Sequence, residues 1–185
     1  LRDAKAENRA ALIGYIPAGF PTFEGCKAAI DVLVEAGFDA IEIGYPYSDP
    51  VMDGPIIQEP ADLALRNGVK AKDVMATLAH ASATGAAAVV MTYWNPIEQF
   101  GADSFANAGG SGVITPDLPF EQAHPWKESA TKAGINTIFV VAPSTTAERL
   151  QKVTSITSGF VYAASLMGVT GTRNSISHSA QELVA

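Results

Sequence analysis

Six runs rich in β-branched and small apolar residues recur along the chain, at Ala11–Pro17, Ala40–Gly44, Ala87–Tyr93, Gly112–Asp117, Asn136–Pro143 and Gly159–Ser165. Each is apolar at nearly every position instead of alternating, which predicts strands covered on both faces, as in a parallel sheet flanked by helices. Between the runs the period changes. After Pro21-Thr22, the positions Cys26, Ala29, Ile30, Leu33 and Val34 fall on one helical stripe, and Gly37 is placed to stop it. A helix around Val74, Met75 and Leu78 ends near Gly85, and an extra helical piece, Ala61–Asn67, lengthens the connection between the second and third strands. Thr145 and Glu148 have the spacing of a capping box ahead of the stripe Leu150, Val153 and Ile156, and Pro125 suits a first helical position in Pro125–Ala133.

Strand and helix thus alternate six times with no linker or low-complexity stretch, so residues 1–185 read as one domain. Two architectures fit such units: an open doubly wound sheet and a closed eight-stranded barrel. Length favours the open sheet. A barrel takes roughly 250 residues, so the barrel reading requires that two units are absent from this sequence.

Composition narrows the role more than the fold. With 185 residues, 48% of them hydrophobic, one sizeable core is available. The 19 acidic against 12 basic side chains disfavour nucleic acid or an anionic membrane as a partner and point to a small molecule. Cys26 is the only cysteine, which excludes an internal disulfide, and its helical stripe makes it a core residue. No apolar run has membrane-spanning length, and the charged opening Leu1–Arg9 lacks the apolar stretch of a secretory signal, so the expected location is the cytoplasm.

In parallel β/α folds, functional groups gather at the carboxyl ends of strands and in the loops beyond. There the second strand places Glu42 in the middle of Ala40-Ile41-Glu42-Ile43-Gly44, followed by a loop rich in Pro and Asp that carries Asp49 and Asp53. A carboxylate inside a buried strand is costly unless something uses it. Asp49 and Asp53 each precede a turn former, so taken singly they read equally well as turn residues. Other strand ends carry Tyr93 and Asn95, then Asp117, then Ser165 with the loop Leu166–Arg173, whose small residues suit a lid, an anion-binding turn or a surface loop. Trp94 and Trp126 read as core. The lysines lie at the chain start, in helices or in their approaches, away from a Schiff-base position, and the histidines His80, His124 and His178 show no metal-site pairing, with His80 and His178 reading as solvated helix positions. No Gly-x-Gly-x-x-Gly follows the first strand. Carboxylate acid–base chemistry without metal or cofactor remains.

The run from Ile41 to Pro55, with Glu42 and Asp53 joined through Pro46, Ser48-Asp49-Pro50 and Asp53-Gly54-Pro55, resembles the signature of the tryptophan synthase α subunit family. Pro17-Ala18-Gly19-Phe20-Pro21, Met91-Thr92-Tyr93-Trp94-Asn95-Pro96, Pro116-Asp117-Leu118-Pro119 and Gly168-Val169-Thr170-Gly171 are similar to the family's other loops, so the likeness spans nearly the whole chain. The resemblance implies a (β/α)8 TIM barrel, six of its eight units present here, that cleaves indole-3-glycerol phosphate to indole and glyceraldehyde 3-phosphate. It implies Glu42 as the acid–base and Asp53 as partner of the indole N–H, with Glu42 raised in pKa among Ile41, Ile43 and other apolar neighbours and Asp53 wetter and ionised.

By the same resemblance Tyr162, Met91, Ile114 and Val140 line the indole pocket, Thr170 meets Asp53 when the sixth loop closes, and the Gly171 amide approaches the phosphate. Asp49 and Pro50 fall at the contact with a β subunit in an α2β2 assembly, and pyridoxal phosphate belongs to that β subunit. The last two strands of the barrel, and most of its phosphate site, are not in the sequence, which implies a trimmed chain or a fragment. The helix Asp103–Ala108 is about a turn short of the expected length. Pro60 stands where the family prefers a helix former and reads as a first-turn proline. A different phosphosugar barrel lyase or isomerase, or a non-catalytic subunit that only activates its partner, stays open at this point.

Overall fold

The computed structural model describes residues 1–49, 52–108 and 110–165. Its strands β1 (Ile13–Pro17), β2 (Ala40–Gly44), β3 (Ala87–Met91), β4 (Gly112–Thr115), β5 (Asn136–Val141) and β6 (Tyr162–Ala163) form one six-stranded sheet. The sheet is ordered as the chain makes it, with every neighbouring pair parallel. That order belongs to a barrel wound in one direction; a doubly wound sheet reverses at its switch point. In a flat sheet β1 and β6 would stand about 24 Å apart, five strand spacings. Yet the phenols of Tyr15 on β1 and Tyr162 on β6 lie within electrostatic reach of each other, so the sheet curls.

The helices are α1 (Arg2–Ala6), α2 (Phe23–Glu35), α3 (Pro55–Arg66), α4 (Ala71–Ala83), α5 (Trp94–Phe100), α6 (Ala102–Ala108), α7 (His124–Ala133) and α8 (Ala147–Ile156). The period of two along each strand divides its side chains between two faces. On the outer face Ile16, Ile41, Ile43, Val90, Val113, Phe139 and Val141 form one buried cluster with helical side chains such as Cys26, Ile30, Val74, Leu78, Phe105 and Trp126. Inside the curl a smaller cluster holds Val89, Ile114 and Ile138, with Met91, Val140, Phe160 and Tyr162 against it.

Several local expectations shift, each for a physical reason. β1 begins at Ile13 because Leu12 exchanges hydrogen bonds with Asp39: its N–H donates to the Asp39 carboxylate at 2.8 Å and its C=O accepts from the Asp39 N–H at 2.9 Å. β3 ends at Met91, and Tyr93 instead leads into α5, which strand-like apolarity had concealed. Gly101, at φ +87°, separates α5 from α6, so the apparently short helix is the second of a pair. α3 starts at Pro55, which makes Pro60 its sixth residue and not a first-turn proline. The N–H that Pro60 lacks would have bonded the Ile56 carbonyl, and Ile56 is exposed to water that can replace it. The cap of α8 is Thr146, whose hydroxyl accepts from the Arg149 N–H at 3.3 Å, while the Thr145 hydroxyl closes the preceding turn on the Ala142 N–H. His80 is half-buried and bonded through Nε2 to Asp31 at 2.8 Å, tying α4 to α2 instead of standing solvated.

Candidate functional site

β2 carries the first acidic group. Because side chains alternate, Ile41 and Ile43 point outward into the helix-covered cluster and Glu42 points into the curl. The isoleucines beside it in sequence are therefore not its surroundings. Its neighbours are those in register, Tyr15 on β1 and Val89 on β3. Glu42 is 6% exposed, and burial pushes its carboxyl up to about 7.

Asp53 comes from the loop between β2 and α3. It is half-buried, and burial raises its carboxyl as well, so it is less wet than expected. Two bonds hold its backbone. The Met52 N–H donates to the Tyr93 hydroxyl at 3.2 Å, and the Gln58 amide of α3 donates to the Asp53 carbonyl at 2.7 Å. Asp53 lines a narrow cleft with Tyr15, Tyr45, Met91, Thr92, Tyr93 and Pro116.

Two phenols report where the acids meet. Tyr15 and Tyr162, from opposite ends of the sheet, each lose a proton less readily, first because they are buried and then because both Asp53 and Glu42 are near; Tyr162 reaches about 12. One β/loop unit thus brings two carboxyls within electrostatic reach of the same two phenols. Tyr15 lies across the end of β2, where a Cβ on Gly44 would run into its hydroxyl and ring.

Of the other residues expected from sequence, Ile114 is buried in the inner cluster and Met91, Val140 and Tyr162 pack against it. Asp49 is exposed and accepts a bond from the Ser48 hydroxyl at 2.8 Å. Pro50, Thr170 and Gly171 lie outside the described residues, as does the loop Leu166–Arg173. Asp117 serves the fold: both its oxygens accept the first N–H of α5, from Trp94, at 2.9 and 3.1 Å. Asn95 donates to the Tyr47 hydroxyl at 3.1 Å. Among the described residues, no group of three or more His, Cys, Asp or Glu is disposed to hold a metal ion.

Sequence reasoning missed Tyr15. A signal existed, because Tyr15 is the one strongly polar side chain in Ile13–Pro17 and stands two residues before the end of β1, as Glu42 does in β2.

Comparison with known proteins agrees with this geometry. The family model described as tryptophan synthase alpha chain matches residues 1–185. The tryptophan synthase alpha chain of Thermobifida fusca is 55% identical over all of this chain, which spans 70% of that relative; the one from Streptomyces avermitilis is also 55% identical, with 68% of its length spanned. Among solved structures, Mycobacterium tuberculosis tryptophan synthase superimposes with a TM-score of 0.93 at 50% identity, covering 99% of this chain and 72% of that one. A tryptophan synthase complex from Pyrococcus furiosus does so at 0.84 and 34%, covering 95% and 71%. With a match along its full length and this identity to its relatives, the chain belongs to the tryptophan synthase alpha chain family.

Proposed function

We propose that this chain, as the α subunit in tryptophan biosynthesis, cleaves indole-3-glycerol phosphate to indole and glyceraldehyde 3-phosphate by a retro-aldol reaction, with Glu42 as acid–base and Asp53 as its charged partner. The observation that carries the reading is a buried carboxyl on the inner face, raised to about 7, with a second carboxyl from the next loop within reach of the same two phenols. At neutral pH such a group is present in both protonation states, which is what an acid that must become a base requires.

In this reading Glu42 gives its proton to the indole ring carbon that bears the glycerol chain. The resulting carboxylate then takes the proton from the adjacent hydroxyl as the carbon–carbon bond breaks, and the bonding electrons return to the ring. Both protons pass through one side chain, so the enzyme is regenerated. Asp53 accepts the indole N–H and, being negative, stabilises the positive indolenine that forms in between. The flat apolar ring suits the lining of Met91, Ile114, Val140 and Tyr162. Thr170 is assigned to meet Asp53 on loop closure, and the Gly171 amide to the phosphate.

Exposed Asp49, with Pro50, is assigned to the β subunit contact in an α2β2 assembly, to which indole passes through a tunnel. The reaction written above needs no cofactor in this chain, and pyridoxal phosphate is assigned to the β subunit. No helix among the described residues is long and apolar enough to cross a membrane, and the assigned location is the cytoplasm.

The test is single-turnover cleavage beside equilibrium binding of indole-3-glycerol phosphate, on the complete eight-stranded barrel that carries this chain, with the β subunit present. Glu42→Gln should bind substrate as the parent does and cleave it roughly 10³–10⁴-fold more slowly, the upper range for a general acid–base. Asp53→Asn should keep the fold and lose on the order of 10²-fold, as a missing electrostatic partner does. If the parent made no indole, or the Glu42 variant kept more than about a tenth of the parent rate, well above what loss of such a group allows, the assignment would fall.

A further inference from the structure

The loop that carries Asp53 is held by a residue of the next strand unit. Tyr93 follows β3, is 8% exposed, and lies 41 positions along the chain from Met52, whose N–H its hydroxyl accepts at 3.2 Å. Its ring stands 5.2 Å from that of Tyr47, in the same loop as Met52, and the Tyr47 hydroxyl in turn accepts from Asn95 of α5. On the other side of Asp53, Gln58 of α3 binds the residue's own carbonyl at 2.7 Å. The Met52 amide, one residue before Asp53, and the carbonyl of Asp53 itself are thereby held from two separate elements.

We infer that Tyr93 is a positioning residue for Asp53, its hydroxyl latching the loop through the Met52 amide so that the carboxylate stays turned into the curl beside Glu42. The inference rests on the role given to Asp53 above. Its physical basis is that a carboxylate on a loop nine residues beyond its strand has many orientations, most of them toward water. A displacement of about 1 Å at a reacting group can cost on the order of 10²-fold in rate. The half-burial that raises the Asp53 carboxyl is the state such a latch would maintain. Ring packing and the latch are separable, since the Tyr93 ring meets Tyr47 while its hydroxyl holds the Met52 amide.

The experiment compares the full chain with its Tyr93→Phe variant, which keeps the ring against Tyr47 and removes the acceptor. Amide hydrogen exchange is followed at Met52, and carboxyl carbon NMR follows the titration of Asp53 and Glu42. In the parent, the Met52 amide should be protected. In the variant its exchange should quicken about fivefold, the equivalent of a hydrogen bond of about 1 kcal/mol. The Asp53 midpoint should fall toward the ordinary carboxylate range while Glu42 keeps its own, and in cleavage kcat should drop with little change in KM.

An unprotected Met52 amide in the parent would overturn the inference without any variant. So would an unmoved Asp53 midpoint, and so would equal movement of both carboxyls, which would make Tyr93 a support for the whole site. These readouts do not depend on cleavage. Full activity in Asp53→Asn would remove the catalytic role of Asp53 and leave the latch standing, whereas failure of the latch would leave that role intact.

Discussion

Ile41 and Ile43 on one face of β2 and Glu42 on the other are all hidden from water, at 0%, 0% and 6% exposure, and do opposite work. The outer face is continuous with the helices, and its side chains interlock into a cluster that spans the sheet from Ile16 to Val141. Among the described residues the inner face carries a small cluster of Val89, Ile114 and Ile138, and beside it an acid and two phenols within reach of one another's fields. The difference teaches that burial does not distinguish support from chemistry in this molecule. The direction of the side chain does, and in a strand that direction reverses at each residue.

The contrast can be broken most forcefully from outside. Ile43→Ala should cost about 2–5 kcal/mol of stability, the range for truncating a large buried aliphatic, measured by urea unfolding. The folded fraction should keep its Glu42 titration midpoint near 7. A shifted midpoint would mean that the two faces are coupled and the division drawn here is too sharp.

Next in size is a change on the inner face. A carboxyl whose pKa rises from 4.5 unfolded to about 7 folded favours the native state when protonated. That advantage is complete below 4.5 and is lost as pH rises to about 7. Glu42→Gln, which never ionises, should therefore gain stability relative to the parent across that window, reaching up to about 3 kcal/mol above it, from roughly 1.4 kcal/mol per unit. Equal pH dependence of the two proteins would show that Glu42 is not desolvated. It would also remove the main support for its role.

The smallest effect concerns Tyr15. Tyr15→Phe keeps the ring over Gly44 and removes a dipole close to both acids, so the Glu42 midpoint should rise by less than about one unit, or 1.4 kcal/mol. The acid-to-base limb of the pH–rate profile should move with it. No movement would make Tyr15 a packing residue of the inner face.

Much of this was legible in the chain and some was not. The alternation of apolar runs with helical stripes located all six strands, because both faces of a parallel strand are covered and its sequence shows it. Glu42 was legible as an ionisable interruption of such a run, and Asp53 by its place in the loop and the likeness to a family. What desolvates Glu42 was not. Sequence offers Ile41 and Ile43 as neighbours, whereas the register of three strands supplies Tyr15 and Val89, and register is a long-range property. The acceptor of the Met52 amide and the Asp117 contact to α5 join residues 41 and 23 positions apart, beyond what local spacing can express. The shift of the α8 cap from Thr145 to Thr146 is a choice between two adjacent hydroxyls, settled by which one the preceding turn already uses.

The bare backbone at Gly44, under the phenol of Tyr15, has a consequence for how the sequence can change. A methyl group at position 44 would collide with the Tyr15 hydroxyl and ring, so substitution there is permitted or forbidden by what position 15 holds. The two sites are an epistatic pair on neighbouring strands. Alanine at 44 should be harmful beside tyrosine and tolerated beside a short aliphatic, and in evolutionary drift the smaller residue must arrive first at 15. A chain that takes that path opens space at the carboxyl end of β2, on the side of the barrel where its two acids meet, and so alters the shape of the pocket without touching either acid.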